Sequence, residues 1–322
     1  MDFLKLKNSL PYLIAVFFAV NPLGSYGENI SKFPSQRPAI SAPLADKALL
    51  LDITKSGDNY FAAGEWGIVI RSQDGENWQQ MAVPSQATLT AIYFSDANTA
   101  WLVGHDAVIL KSSDAGESWE IVYAAPEKES PLLDIVFYDA CCGFAVGAYG
   151  LMLETKDHGR SWQERTLPDE FDRHINAALV MDEWLFLVGE SGTFLRSNNH
   201  GENWETLHLP YGGSMFGLSR TTDNELITFG LRGQVYRSSN FGTNWEKEPV
   251  SVTNGLMGHV QLAGGGSVLL GQGGVVLQKT AQNKNYKKLE FPGFHDLVAS
   301  VVTEKNELLI VGTRGVNRFS LQ

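Results

Sequence analysis

Short apolar runs separated by polar turns fill this chain from about residue 49 to its end, and they come in groups of four. The first run of each group lies at 49–54, 89–94, 132–137, 175–180, 215–220, 256–262 and 297–302. A second apolar run follows and stops at a Gly-x-x-Gly turn: Gly64 to Gly67, Gly147 to Gly150, Gly189 to Gly192, Gly230 to Gly233, Gly271 to Gly274 and Gly312 to Gly315, with Gly104 to Ala107 as a variant. A third run leads into a polar octapeptide, and a short alternating stretch such as 162–168 completes the group. The aromatic residues closing the octapeptides stand at 78, 119, 162, 204, 245 and 286, a period of 41 to 43 residues. Four short β-type runs per repeat, turn signals between them and no helical periodicity predict an all-β fold, a seven-bladed β-propeller.

The octapeptide carries its own turn chemistry. Its copies begin at Ser112, Thr155, Ser197 and Ser238, a copy one residue shorter begins at Ser72, and 280–286 is a decayed sixth. An Asp or Asn (Asp74, Asp114, Asp157, Asn199, Asn240) accepts backbone N–H groups a few residues on, as in an Asx-turn. Gly116, Gly159, Gly201 and Gly242 supply a positive φ, and Trp78, Trp119, Trp162, Trp204 and Trp245 are large enough to pin the hairpin to its neighbours. Asn replaces Asp twice, keeping the acceptor and losing the charge, which argues for a structural turn over a metal ligand or catalytic acid. These octapeptides resemble the Asp-boxes of sialidase-like propellers, where they lie on outer hairpins away from the active centre.

The chain ends divide the sequence. Lys5 and Lys7 precede an apolar stretch at 10–20 and a small-x-small exit at Ser25 and Gly27. This reads as a secretory signal peptide over 1–27, cleaved near Gly27, and implies an exported, periplasmic protein. Residues 28–37 read as a linker and 38–322 as the propeller. The last repeat has no room for an outer strand, so the segment around Arg37 to Ser41 is expected to supply it and close the ring. Cys141 and Cys142, the only cysteines, are adjacent. Neighbouring Cα atoms lie about 3.8 Å apart, below the range disulfides prefer, so two free thiols are preferred over a strained vicinal disulfide, and the sequence leaves the redox state open.

Charge narrows the partners. The net charge of −11 becomes −12 once Asp2, Lys5 and Lys7 leave with the signal, which disfavours nucleic acid. No Cys/His spacing suits a metal, and no cofactor fingerprint is complete.

The export signal, the Asp-boxes and the Gly143 to Gly147 strand together resemble the photosystem II assembly and stability factor family, over about residues 38–322. That resemblance implies a propeller that docks onto a membrane protein during assembly, here an inner-membrane complex. Its docking residues do not map one by one onto this acidic chain. Sialidase-type hydrolysis is the enzymatic alternative, and it needs an arginine cluster, an acid/base carboxylate and a Tyr nucleophile. The Arg-Ile-Pro motif is missing, since Arg37 and Pro38 are adjacent, so no catalytic residue is assigned. A lectin-like glycan-binding propeller is the third reading. The expected function is non-catalytic binding of a protein partner by a monomer. Its candidate surface joins Trp66, His105, Asp106, Tyr149, Glu190, Arg232 and Arg314 of the Gly turns to Arg173, His174, Phe216, His295 and Asp296 of the connections into the innermost strands. Propeller geometry puts these on one face, and aromatics and arginines are the residue types of binding hot spots.

Overall fold

The computed structural model of the protein describes residues 31–168, 171–283 and 285–321; the expected signal peptide lies outside them. Seven antiparallel meanders form the all-β propeller that the repeats predict. Their innermost strands are Leu50–Ser56, Leu89–Phe94, Leu132–Phe137, Ile175–Met181, Met215–Arg220, Leu256–Gln261 and Leu297–Val302. Six sheets have four strands each, in sequence order, and the seventh has three. Every innermost strand breaks register after its first residue, as between Leu50 and Asp52, and the extra residue turns toward the axis of the ring.

The core is divided into seven clusters, one per gap between neighbouring blades. Second strands such as Ala100–Gly104 and Gly143–Gly147 are buried on both faces, which is why they read as unbroken apolar runs. The octapeptide turns clamp these gaps. Ser or Thr Oγ accepts the box Gly N–H, and the Asp or Asn Oδ1 accepts the N–H of the residue before Trp in all five intact copies. The Ser118 and Ser161 hydroxyls, which donate to Oδ2 of Asp114 and Asp157, join these N–H bonds in holding the two carboxyls down at about 2. Gly159 lies so close to the preceding blade that a Cβ there would sit 2.0 Å from the Trp101 ring. Trp162 meets Trp101 and Phe137 edge-on at 5.9 and 6.2 Å. In the decayed sixth copy Tyr286 takes the same place, its hydroxyl 2.8 Å from Ser267 Oγ.

Two expectations need correction. The seventh blade does not gain a fourth strand from the leading segment. Residues 39–42 instead run along the outer edge of the first blade, bonding Val83 O, Trp66 O and the Gln80 side chain. A turn of 3-10 helix, Ala45–Lys47, then drops into the gap between first and last blades, where Ala45 packs with Leu309 and Val311. The N-terminal segment thus closes the ring by packing and not by strand pairing. The cysteines are bonded to each other, not free. Their turn is closed by Tyr138 N–H to Cys142 O and by Cys141 N–H to Asp139 Oδ1, so the bond joins residues that the backbone has already fixed.

Candidate partner-binding face

One repeated hydrogen bond builds the face. In each blade the residue after the first Gly of the turn donates its N–H to the connection entering the innermost strand. The seven bonds are Glu65 to Leu49, His105 to Thr88, Ala148 to Pro131, Glu190 to His174, Leu231 to Ser214, Gln272 to Gly255 and Thr313 to Asp296, at 2.9–3.1 Å. The first Gly is required by that approach, since a Cβ on Gly312 would meet Asp296 O at 2.0 Å. The turns and connections therefore lie side by side, with the octapeptide turns at the opposite end of the strands.

The turn projects its second residue outward from a left-handed backbone. Trp66, Asp106, Tyr149, Ser191 and Arg232 have φ of 55–60°, a conformation that costs a non-glycine residue about 1–2 kcal/mol. Trp66 and Tyr149 nevertheless stay 53% and 62% exposed, so burial does not repay that cost.

The candidates divide into three groups. Tyr149, His174, Glu190 and Arg173 come together across the third and fourth blades. The Tyr149 ring lies 4.8 Å from that of His174. Glu190 Oε2 accepts the His174 N–H at 3.0 Å and stands 3.9 Å from its Nε2, while Arg173 is exposed and its carbonyl accepts Gly150 N–H. Trp66, His105, Arg232 and Arg314 are exposed on their own turns. The remaining four are engaged in the structure. Asp106 Oδ2 accepts Ser35 N–H and anchors the leading segment, and Asp296 Oδ1 accepts Gly273 N–H from the sixth blade. His295 meets the Phe291 ring edge-on at 5.3 Å, and Phe216 turns into the axial cavity.

That cavity was not anticipated. It has a volume of about 450 Å3, and its wall includes Thr90, Asn176, Phe216, Met257 and three titratable groups, Asp52, Asp134 and His259. Each carboxylate staples two blades: Asp52 accepts N–H from Ile53 and Ile92, and Asp134 from Ile135 and Ala178. Burial pushes Asp52 up to about 7, against the pull of those N–H groups and with help from the Asp134 charge, and pushes Asp134 up to about 6. Burial alone carries His259 down to about 4. No arginine lines the cavity among the described residues, so it does not carry the carboxylate clamp that sialidase chemistry needs. Exposed Phe294, Leu44 and Leu231 were also missed; their sequence surroundings are ordinary loop.

A propeller that displays its Gly turns and inner connections on one face belongs to the class of scaffolds whose loops commonly carry function. The chain belongs to the family described as photosynthesis system II assembly factor YCF48, which it matches over residues 70–130 and 123–272. Over 90 residues, 27% of the chain, it is 34% identical to the chloroplastic photosystem II stability/assembly factor HCF136 of Cyanidioschyzon merolae. That alignment spans 20% of the relative's length. A structure of YCF48 bound to a D1 peptide is similar at a TM-score of 0.68, with 16% identity over 89% of this chain and 100% of that one. YCF48 from Cyanidioschyzon merolae gives 0.70, with 16% identity over 86% and 97%. A streptogramin B lyase gives 0.73, with 13% identity over 88% and 96%. At these identities the solved structures establish the shared fold alone.

Proposed function

We propose that this chain is an exported, non-catalytic assembly or accessory factor whose Gly-turn face docks a segment of a membrane protein complex, acting as a monomer in the periplasm. The observation that carries the reading is the pair Trp66 and Tyr149, large aromatics held in the open at left-handed turn positions. Membership of an assembly-factor family supports it, as does the peptide-bound state of a structural relative. Export rests on the basic, apolar and small-residue pattern of residues 1–27. Aromatic side chains of this kind are the usual centres of binding energy, typically about 2 kcal/mol or more each.

Crosslinking in cells that express the tagged protein, followed by mass spectrometry, tests the proposal. One membrane complex should be recovered, and the Trp66→Ala/Tyr149→Ala variant should lose it while keeping the wild-type melting temperature. Capture that is indifferent to both substitutions would place the docking surface elsewhere. Capture of nothing above background would overturn the reading.

A further inference from the structure

The Cys141–Cys142 bond has no structural work to do in the turn that holds it. The same turn in the second blade, Asp96-Ala97-Asn98-Thr99, forms without sulfur. There Asp96 Oδ1 accepts Asn98 N–H at 2.8 Å, Ser95 N–H reaches Thr99 O at 3.0 Å, and Ala115 N–H of the octapeptide reaches Asn98 O at 2.8 Å. In the third blade Asp139 Oδ1 accepts Cys141 N–H at 2.8 Å. Tyr138 N–H reaches Cys142 O at 3.1 Å, and His158 N–H reaches Cys141 O at 2.8 Å. These three bonds recur, with Cys141 and Cys142 at the places of Asn98 and Thr99; the second blade adds Thr99 N–H to Asp96 Oδ1 at 2.8 Å and the third adds Asp139 N–H to Cys142 O at 3.5 Å. A bond between adjacent residues also encloses no length of chain, so it withdraws almost no entropy from the unfolded state. Cys141 is partly open to solvent, and the residues before it, Asp139 and Ala140, are exposed.

We propose that Cys141 and Cys142 form a reversible two-electron thiol–disulfide site that exchanges with an external dithiol, at the end of the blades away from the docking face. A thiolate of the dithiol attacks Sγ of Cys141, the more accessible sulfur. The bond to Cys142 breaks, and Cys142 leaves as a thiolate that takes a proton from water. The second thiol of the reductant then attacks the mixed disulfide, releasing Cys141 as a thiolate that is protonated in turn. The reductant ends as a disulfide, and two electrons have passed to the cysteine pair. Oxidation by a disulfide-bearing partner reverses both steps. The fold is the same in either state, because Asp139 and His158 keep the turn closed.

Dithiothreitol is the probe, used on the purified full chain in native buffer. Alkylation and intact mass should count two thiols per chain after reduction and none after reoxidation by oxidised glutathione. The melting temperature should move by less than about 2 °C, whereas loss of a structural disulfide lowers it by on the order of 10 °C in a chain of this size. A Cys141→Asn/Cys142→Thr variant, which copies the second-blade turn, should melt with the wild type and lose the thiol signal. In Cys142→Ser the Cys141 thiolate should attack oxidised glutathione, release one glutathione thiolate, and keep the other glutathione as a mixed disulfide that no second thiol of the chain resolves. Thiols that appear only in denaturant, or a fall of about 10 °C on reduction or in the double variant, would overturn the proposal.

Discussion

Replacing Asp52 by asparagine should flatten the pH dependence of stability near neutrality. Asp52 titrates from an ordinary value of 3.8 in the unfolded chain to about 7 in the fold, chiefly because it is buried. The folded state therefore holds this proton more tightly, so the contribution of the group to stability is full below pH 3.8 and is lost as pH rises through 7. Between pH 8 and 6.5 the wild type should gain roughly 0.8 kcal/mol from Asp52, about 2 °C in melting temperature. Asp134, raised to about 6, acts in the same direction at lower pH. His259, lowered to about 4, acts in the opposite direction, since its contribution is lost as pH falls from 6.5 through 4. The difference between wild type and Asp52→Asn removes both, apart from the Coulombic coupling of Asp52 to Asp134. The absolute stability of the variant is a poorer readout. Its amide oxygen can serve only one of the two N–H groups of Ile53 and Ile92, at a cost of about 1–3 kcal/mol for the other. Urea denaturation of both proteins at pH 8, 7 and 6.5 and constant ionic strength measures the slope. Parallel profiles, or a wild type that loses stability relative to the variant on acidification, would refute the assignment of Asp52 as a proton-binding staple of the cavity wall.

Two further outcomes follow from local geometry. Gly312→Ala should destabilise the fold by on the order of 2–4 kcal/mol in urea denaturation, because the new Cβ would meet a backbone oxygen, Asp296 O, at 2.0 Å and neither chain can retreat without breaking the bond that aligns turn and connection. Asp157→Asn should leave the melting temperature close to wild type, since Asn199 and Asn240 make the same main-chain bond through Oδ1 in their own boxes, whereas Asp157→Ala should lower it visibly. If the two variants melt together, the acceptor oxygen is not what holds the turn.

The features legible in the sequence are those whose physics is local. An octapeptide that bonds its own backbone, or a glycine forced by the approach of a neighbouring carbonyl, recurs wherever the turn recurs, and seven recurrences declared the blade count. Ring closure depends on a contact between chain ends, and residues 37–48 carry no alternation that separates a paired strand from a packed coil. The axial carboxylates escaped for a related reason. Asp52 and Asp134 stand at the third place of strands that otherwise read as apolar, and only the bulge after the first residue brings that place to the cavity. Setting the innermost runs in register would have revealed an acid at the same position twice. The face itself shows where pattern stops short of chemistry. Asp106 and Asp296 look in sequence like free turn carboxylates, yet each accepts an N–H from another segment and fixes the scaffold. Among the described residues Tyr149 and Trp66, in equivalent turns, have no such partner and remain open. Engagement by a neighbour is a tertiary property, and on this face it separates the residues that build the platform from those displayed on it.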